Sequence, residues 1–169
     1  PPGRSAACPT LGLPGPFWYE NGMLGLHWDT PPDWAVRALA QPAPLLLDHV
    51  FCEQKAAATA RLLLRRWGDR VPALVRPLEA LAAEELGHAE RVERFLAGYP
   101  RPPAPRGGNP YAQGLRRLVR AHQRGVDPLL DLLLGASLIE ARSAERFRLL
   151  ADAARGSTLA PLGHFYEDL

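Results

Sequence analysis

Apolar residues recur at helical spacing in three long stretches of the chain. The first covers about residues 44–67, the second ends near Leu96, and the third covers about residues 127–153. In each stretch the apolar positions follow i, i+3, i+4 and i+7, the pattern of an amphipathic helix with one buried face. No alternation typical of strands competes with this pattern, so the sequence predicts an all-α fold.

Three shorter helices are also predicted. Residues 23–43 suggest one that Thr30 or Asp33 could cap, because both residue types accept hydrogen bonds from the first turn. A second covers about residues 111–124. A last one begins near residue 159 or 161 and is still continuing at the end of the chain.

The order of these helices predicts a ferritin-like four-helix bundle. Two helices, a long connection over residues 98–126, and two further helices match a bundle with one crossover, which here carries an extra helix. We assign residues 23–169 to this bundle domain. Residues 1–22 are rich in proline, show no period and form an N-terminal extension. They could precede a natural start at Met23, the only methionine, or form an ordered arm.

Composition excludes several classes of protein. With 169 residues, 47% of them apolar and 22% charged, the chain suits one globular domain. Two cysteines cannot form a disulfide framework, which favours a reducing cytoplasm. The longest apolar run contains Asp131 and is too short to span a bilayer, so no membrane association is expected.

Positive charge is concentrated in one segment. The net charge is only +2, but residues 101–124 contain six arginines and no acid. This could be a phosphate-binding surface or simply the solvated face of an arginine-rich helix. The candidate nucleic-acid-binding residues are Arg116, Arg117, Arg120 and Arg124.

Each long helix places one glutamate within its apolar stripe: Glu53, Glu85 and Glu140. No lysine or arginine shares these stripes, and burying an unpaired carboxylate costs several kcal/mol or forces its protonation. Bound cations would resolve this conflict. His88 lies three residues after Glu85, and Glu-x-x-His is the spacing of di-iron and di-manganese bundles. The stripes therefore predict a metal site, against the alternative of a structural Glu–His pair. His49 is expected to be a hydrogen-bonded core or rim residue, or else a further ligand.

Three strings resemble the tRNA 2-methylthio-isopentenyl-adenosine hydroxylases, which are ferritin-like non-haem di-iron monooxygenases. They are LLLDHVFCEQKAAATA at 45–60, LEALAAEELGHAERV at 78–92 and LLGASLIEARSAERFRLLA at 133–151. The resemblance begins near Met23 and continues to the end of the chain.

This resemblance implies two iron ions, held in part by Glu53, Glu85, His88 and Glu140. The family's fourth helix supplies a second Glu-x-x-His, but Glu167 here is followed by only two residues. The chain thus contains four of the usual six ligands. It is expected to be incomplete at its C-terminus, the alternative being a protein that has lost half of its second metal site.

The implied activity is O2-dependent hydroxylation of the prenyl group on the modified adenosine at tRNA position 37. The implied partners are the anticodon loop and an external electron donor, a reductase or ferredoxin, and the arginine-rich helix becomes a contact for the tRNA backbone. Two alternatives stay open: another ferritin-like iron or manganese oxidase acting on a small molecule, and a non-catalytic helical RNA-binding protein.

Overall fold

Six α-helices form the part of the chain that the structure describes. The computed structural model describes residues 26, 29–104, 110–122 and 127–169, so the predicted extension at 1–22 lies outside it. No strand occurs within those ranges, and the all-α prediction is confirmed. The helices are α1 (Asp33–Leu39), α2 (Pro42–Trp67), α3 (Val75–Leu96), α4 (Pro110–His122), α5 (Pro128–Ala154) and α6 (Ala160–Glu167).

Helices α2 and α3 form an antiparallel hairpin. Helix α2 ends where the Gly68 N–H donates to the Leu64 carbonyl at 2.8 Å. A 3-10 turn at Pro72–Leu74 then leads directly into α3. Pro72 therefore begins the turn, while Pro77 lies in the first turn of α3, where its missing N–H has no helical partner to lose.

Two apolar clusters hold α5 against this hairpin. One cluster contains Leu46 of α2, Leu96 of α3 and Leu150 of α5. The other, at the opposite end of the hairpin, contains Trp67 of α2 and Leu129 of α5, together with Leu78 of α3. Helix α5 therefore runs antiparallel to α2 and parallel to α3. The layer between the two clusters contains the predicted ligands.

Helix α5 begins as the sequence predicts. The Asp127 side chain accepts a hydrogen bond from the Leu129 N–H at 2.9 Å, which caps the helix. Helix α6 follows and packs into the first cluster through Leu162, Phe165 and Tyr166. It is helical as far as Glu167, and the next N–H, that of Asp168, still donates to the His164 carbonyl four residues earlier at 3.2 Å.

The predicted cap of α1 is wrong. Asp33 is already the first residue of α1, and no side chain caps that helix. Thr30 instead donates its hydroxyl to Glu145 Oε2 at 2.9 Å and its backbone N–H to Glu145 Oε1 at 2.5 Å. Arg142 forms an ion pair with the same carboxylate. The hydrogen bonds of Thr30 therefore hold the segment before α1 against α5.

Gly163 allows α6 to pack closely on α5, which gives a test of this contact. A Cβ at Gly163 would lie 2.9 Å from the Ala154 Cβ and 3.3 Å from the Ala151 carbonyl oxygen. We expect Gly163→Val to lower the free energy of unfolding by about 1–3 kcal/mol, the usual cost of overpacking. Gly114→Ala, where nothing lies within 4 Å, should instead stabilise the protein by about 0.5–1 kcal/mol. Urea denaturation measures both, and an unchanged midpoint for Gly163→Val would show that α6 can move away freely.

Candidate metal centre

Three of the predicted ligands lie together between the apolar clusters. Ligand atoms of Glu53, Glu85 and His88 all lie within 4.8 Å of one another. Glu53 comes from the middle of α2, and the other two residues lie one turn apart on α3, as the helical spacing predicts. Each glutamate is only 7% exposed, whereas His88 is half-buried.

The two buried carboxyl groups have no cationic partner within the described residues other than histidine. Burial, followed by the hydrogen bond and the charge of Glu53, raises the pKa of Glu85 to about 8. Burial likewise raises the pKa of Glu53. In the metal-free protein near neutral pH, this pair therefore retains a proton that a bound cation would displace.

This donor set suits a divalent cation of iron or manganese type. Two carboxylates and one imidazole provide hard oxygen and intermediate nitrogen donors, and no thiolate takes part. Cys52 is half-buried and free, and burial raises the pKa of its thiol to about 11. It therefore remains a neutral packing residue, as the sequence indicates.

Glu140 is placed differently from the other predicted ligands. It lies on α5 near the site, since burial and then the charge of Glu85 raise its pKa. However, Glu140 is exposed and is not one of the three residues whose donor atoms lie within 4.8 Å of one another. Glu140 is therefore less buried than the other two glutamates of the apolar stripes, because the first half of α5 has few neighbours: Leu130, Leu134 and Leu138 are 40–54% exposed.

His49 is the site residue whose role the sequence left open. Its Nε2 lies 2.5 Å from Glu53 Oε1, one helical turn away, and the residue is only 6% exposed. Burial lowers the pKa of His49 to about 4, so the ring is neutral, and an ionised Glu53 carboxylate accepts from the Nε2–H tautomer of this ring. Rings of Phe147 and Tyr166 lie 4.9 and 5.6 Å from the His49 ring. The i, i+4 spacing to Glu53 was the signal in the sequence for this hydrogen bond.

Helix α4 carries the predicted arginine surface. Its Tyr111 hydroxyl donates to the Leu138 carbonyl of α5 at 3.4 Å. Arg116 and Arg117 are exposed on α4. The side chain of Arg120 and the whole of Arg124 lie outside the described part of the structure.

The search for membrane spans covered the described residues. Among them, no helix is long and apolar enough to cross a membrane.

Comparisons with known proteins connect this site to a family. The profile of the tRNA-(MS2IO6A)-hydroxylase (MiaE) family matches residues 21–169. A Pseudomonas putida protein named tRNA 2-(methylsulfanyl)-N(6)-isopentenyladenosine(37) hydroxylase is 41% identical over 140 residues, covering 83% of this chain and 65% of the relative. A Salmonella typhimurium protein of the same name is 31% identical over 174 residues, covering 75% and 64%. The chain thus spans slightly less than two thirds of the length of both relatives.

A solved structure shares the fold. It is described as "Protein 43 with aldehyde deformylating oxygenase activity from Synechococcus" and is 37% identical to this chain. It superposes with a TM-score of 0.73, covering 85% of this chain and 69% of the other. This likeness confirms the predicted ferritin-like class. Taken with the family match over the whole described bundle, it shows that the chain belongs to the tRNA-(MS2IO6A)-hydroxylase family.

Proposed function

We propose that this chain forms the catalytic bundle of a tRNA hydroxylase that uses O2 and two iron ions to hydroxylate the isopentenyl group of 2-methylthio-isopentenyl-adenosine at position 37. The observation that carries this proposal is the buried Glu53–Glu85–His88 group, because these donors lie within 4.8 Å of one another on the α2–α3 hairpin. The names of the two relatives supply the substrate class. The reaction places the enzyme in the cytoplasm with its tRNA.

Glu53, Glu85, His88 and Glu140 would hold the metal. When bound, iron supplies the reduction of O2 and the insertion of one oxygen atom into a C–H bond. The chain's own residues prepare the site for this. The neutral His49 ring donates to Glu53 and fixes the orientation of that carboxylate, as partners of ligands do in other metal sites. The two apolar clusters lie on either side of the layer that contains these residues.

The RNA would approach from outside the bundle. The modified base must leave its stack to present the prenyl tail to a buried site. Exposed Arg116 and Arg117 on α4, with Arg120 and Arg124 further along the chain, are proposed to contact the tRNA backbone. Electrons come from an external reductase or ferredoxin.

The test uses protein from the complete gene, loaded anaerobically with ferrous iron. We expect about two irons per chain, as in other di-iron carboxylate bundles. Addition of reductant, O2 and tRNA carrying the prenylated adenosine should add one oxygen atom to that nucleoside, detected by mass spectrometry of the digest. If the protein binds iron but no hydroxylated nucleoside forms, the proposed substrate is wrong. If the protein binds no iron, the proposed oxygenase activity is wrong.

A second candidate is oxidation of a small aldehyde, which the name of the Synechococcus structure favours. The same iron-loaded protein is given a small aldehyde in place of tRNA, together with the same reductant and O2. Release of the aldehyde carbon as formate, with no hydroxylation of tRNA in the preceding experiment, would favour this activity over the proposed function.

The hydrogen bond from His49 gives a prediction for metal affinity. We expect His49→Phe, which keeps an aromatic ring but removes the donor, to weaken ferrous binding by about 10–100-fold. His49→Gln, which can still donate, should retain more of the affinity. Competition with a chelator measures both values, and circular dichroism checks the fold. Wild-type affinity in His49→Phe would mean that His49 only packs.

A further inference from the structure

Five arginines surround the corner where α2 turns into α3. They lie between residues 61 and 76, a segment in which Asp69 is the only acid, so its net charge is +4. All five are exposed. We call this set the arginine corner: Arg61, Arg65, Arg66, Arg70 and Arg76.

None of these arginines pairs with a carboxylate in the part of the chain that the structure describes. Arginines elsewhere do: Arg37 pairs with Asp33 at 2.9 Å, and Arg155 pairs with Glu167 at 2.7 Å. In the arginine corner, Arg66 lies instead over the Trp67 ring at 4.4 Å. Unpaired charges of one sign repel each other, and such a surface is suited to a polyanion.

The arginine corner lies at the same end of the bundle as the C-terminal end of α4. Tyr111, near the start of α4, bonds to Leu138, so α4 runs back along α5. Only four residues separate His122 at the end of α4 from Asp127. Two residues later, Leu129 packs in the same cluster as Trp67. Arg116 and Arg117 of α4 therefore lie toward the same end of the bundle as the arginine corner, and we call the two sets together the basic end.

The position of the arginine corner also fits an RNA bound at the metal centre. Arg65 lies twelve residues after Glu53 on one continuous helix, which is about 18 Å at 1.5 Å per residue. That length spans several base-pair steps of a duplex stem. A stem next to a loop whose nucleotide enters the site would reach this end of the bundle.

We propose that the arginine corner binds the phosphate backbone of the tRNA stem adjoining the modified loop. This deepens the proposed function and depends on it. Arginine suits the role because its planar guanidinium can donate two parallel hydrogen bonds to one phosphate. Double-stranded RNA is recognised through its shape and its phosphates, which such a surface requires.

An acidic electron-donor protein is the other polyanion that this end could attract. The RNA is favoured because the basic end extends from the corner to α4, along two sides of the bundle end. A contact surface of that extent matches a backbone with regularly spaced phosphates. The experiment separates the two partners.

The test compares two triple variants of the full protein. Arg61→Gln/Arg65→Gln/Arg70→Gln removes three charges of the corner and spares Arg66, which packs on Trp67. The control, Arg94→Gln/Arg101→Gln/Arg148→Gln, removes three exposed arginines at the opposite end. Fluorescence anisotropy measures binding of labelled, unmodified tRNA across a series of NaCl concentrations. Hydroxylation is measured with modified tRNA and with the free modified nucleoside.

The Kd of the corner variant for tRNA should be at least about tenfold higher than that of wild type. The slope of the logarithm of the binding constant against the logarithm of the NaCl concentration should be shallower by about 2–3, at 0.7–0.9 per lost phosphate contact. Its KM for tRNA should rise, while its kcat and its activity on the free nucleoside stay at the wild-type level. The control should bind tRNA like wild type.

Three outcomes would overturn the proposal. Equal tRNA binding by the corner and control variants, with hydroxylation intact, would show that the arginine corner does not bind tRNA. The proposed function would still stand. Slower reduction of the iron with unchanged tRNA affinity would assign the corner to the electron donor. Absence of tRNA binding by the wild-type protein would contradict both the surface and the function.

Discussion

Glu85→Gln should abolish tight iron binding and, with it, hydroxylation. The substitution keeps the size of the side chain but removes a charged donor from a group of three whose ligand atoms lie within 4.8 Å. We expect affinity for ferrous iron to fall by more than about 100-fold, beyond the 10–100-fold loss typical of partners that only support ligands. Equilibrium dialysis with iron analysis measures this directly.

The metal-free stability of the same variant shows whether Glu85 serves the metal or the fold. A neutral amide relieves the cost of burying a carboxylate, so metal-free Glu85→Gln should be at least as stable as wild type at pH 8. Exposed Glu90→Gln, on the same helix, is the matched control and should leave iron binding unchanged. A destabilised Glu85→Gln protein that still binds iron tightly would assign Glu85 a structural role.

The metal-free wild-type protein should lose stability as pH rises from about 6.5 to 8. The pKa of Glu85 is raised to about 8 in the folded state, while that of an unfolded glutamate is about 4.3. The folded state therefore holds the extra proton, and stability falls as pH rises toward the folded pKa. At 1.36 kcal/mol per pH unit for one proton, the loss over this range is about 1–2 kcal/mol.

His49 acts in the opposite direction at lower pH. Its pKa is lowered to about 4 by burial, so its contribution increases with pH only up to the unfolded histidine value of about 6.5. Urea denaturation at a series of pH values measures the sum of the two effects. The decline above pH 6.5 should disappear in Glu85→Gln, and ferrous iron should reverse it in wild type, since metal binding displaces the proton. A decline that persists in the variant would place the titrating group elsewhere.

The sequence was sufficient to predict that Glu53, Glu85 and His88 lie on the inner faces of their helices, because periodicity within a helix is a local property. Each residue's place in an apolar stripe followed from its neighbours three and four positions away. The end of α2 and the start of α5 could be predicted for the same reason. Gly68 and Asp127 signal a helix end and a helix start in their own local sequence.

What could not be predicted depends on residues distant in the sequence. Thr30 looked like a helix cap, but its hydroxyl is taken by Glu145, which lies 115 residues away. The exposure of Glu140 depends on which helices cover α5, and its stripe cannot reveal that. The arginine corner was missed for a different reason. Residues 44–100 sum to zero charge, and this sum conceals the net charge of +4 that residues 61–76 carry within them.

The α2–α3 hairpin also bears on the order of assembly. Glu53, Glu85 and His88 all lie on this one pair of helices, joined by a short turn. Contacts close in sequence form quickly, whereas α5 must return across the long connection before it can pack. We therefore expect the hairpin, with its three donor side chains, to form before α5 packs against it. The donor group would then be assembled before the rest of the bundle closes over it.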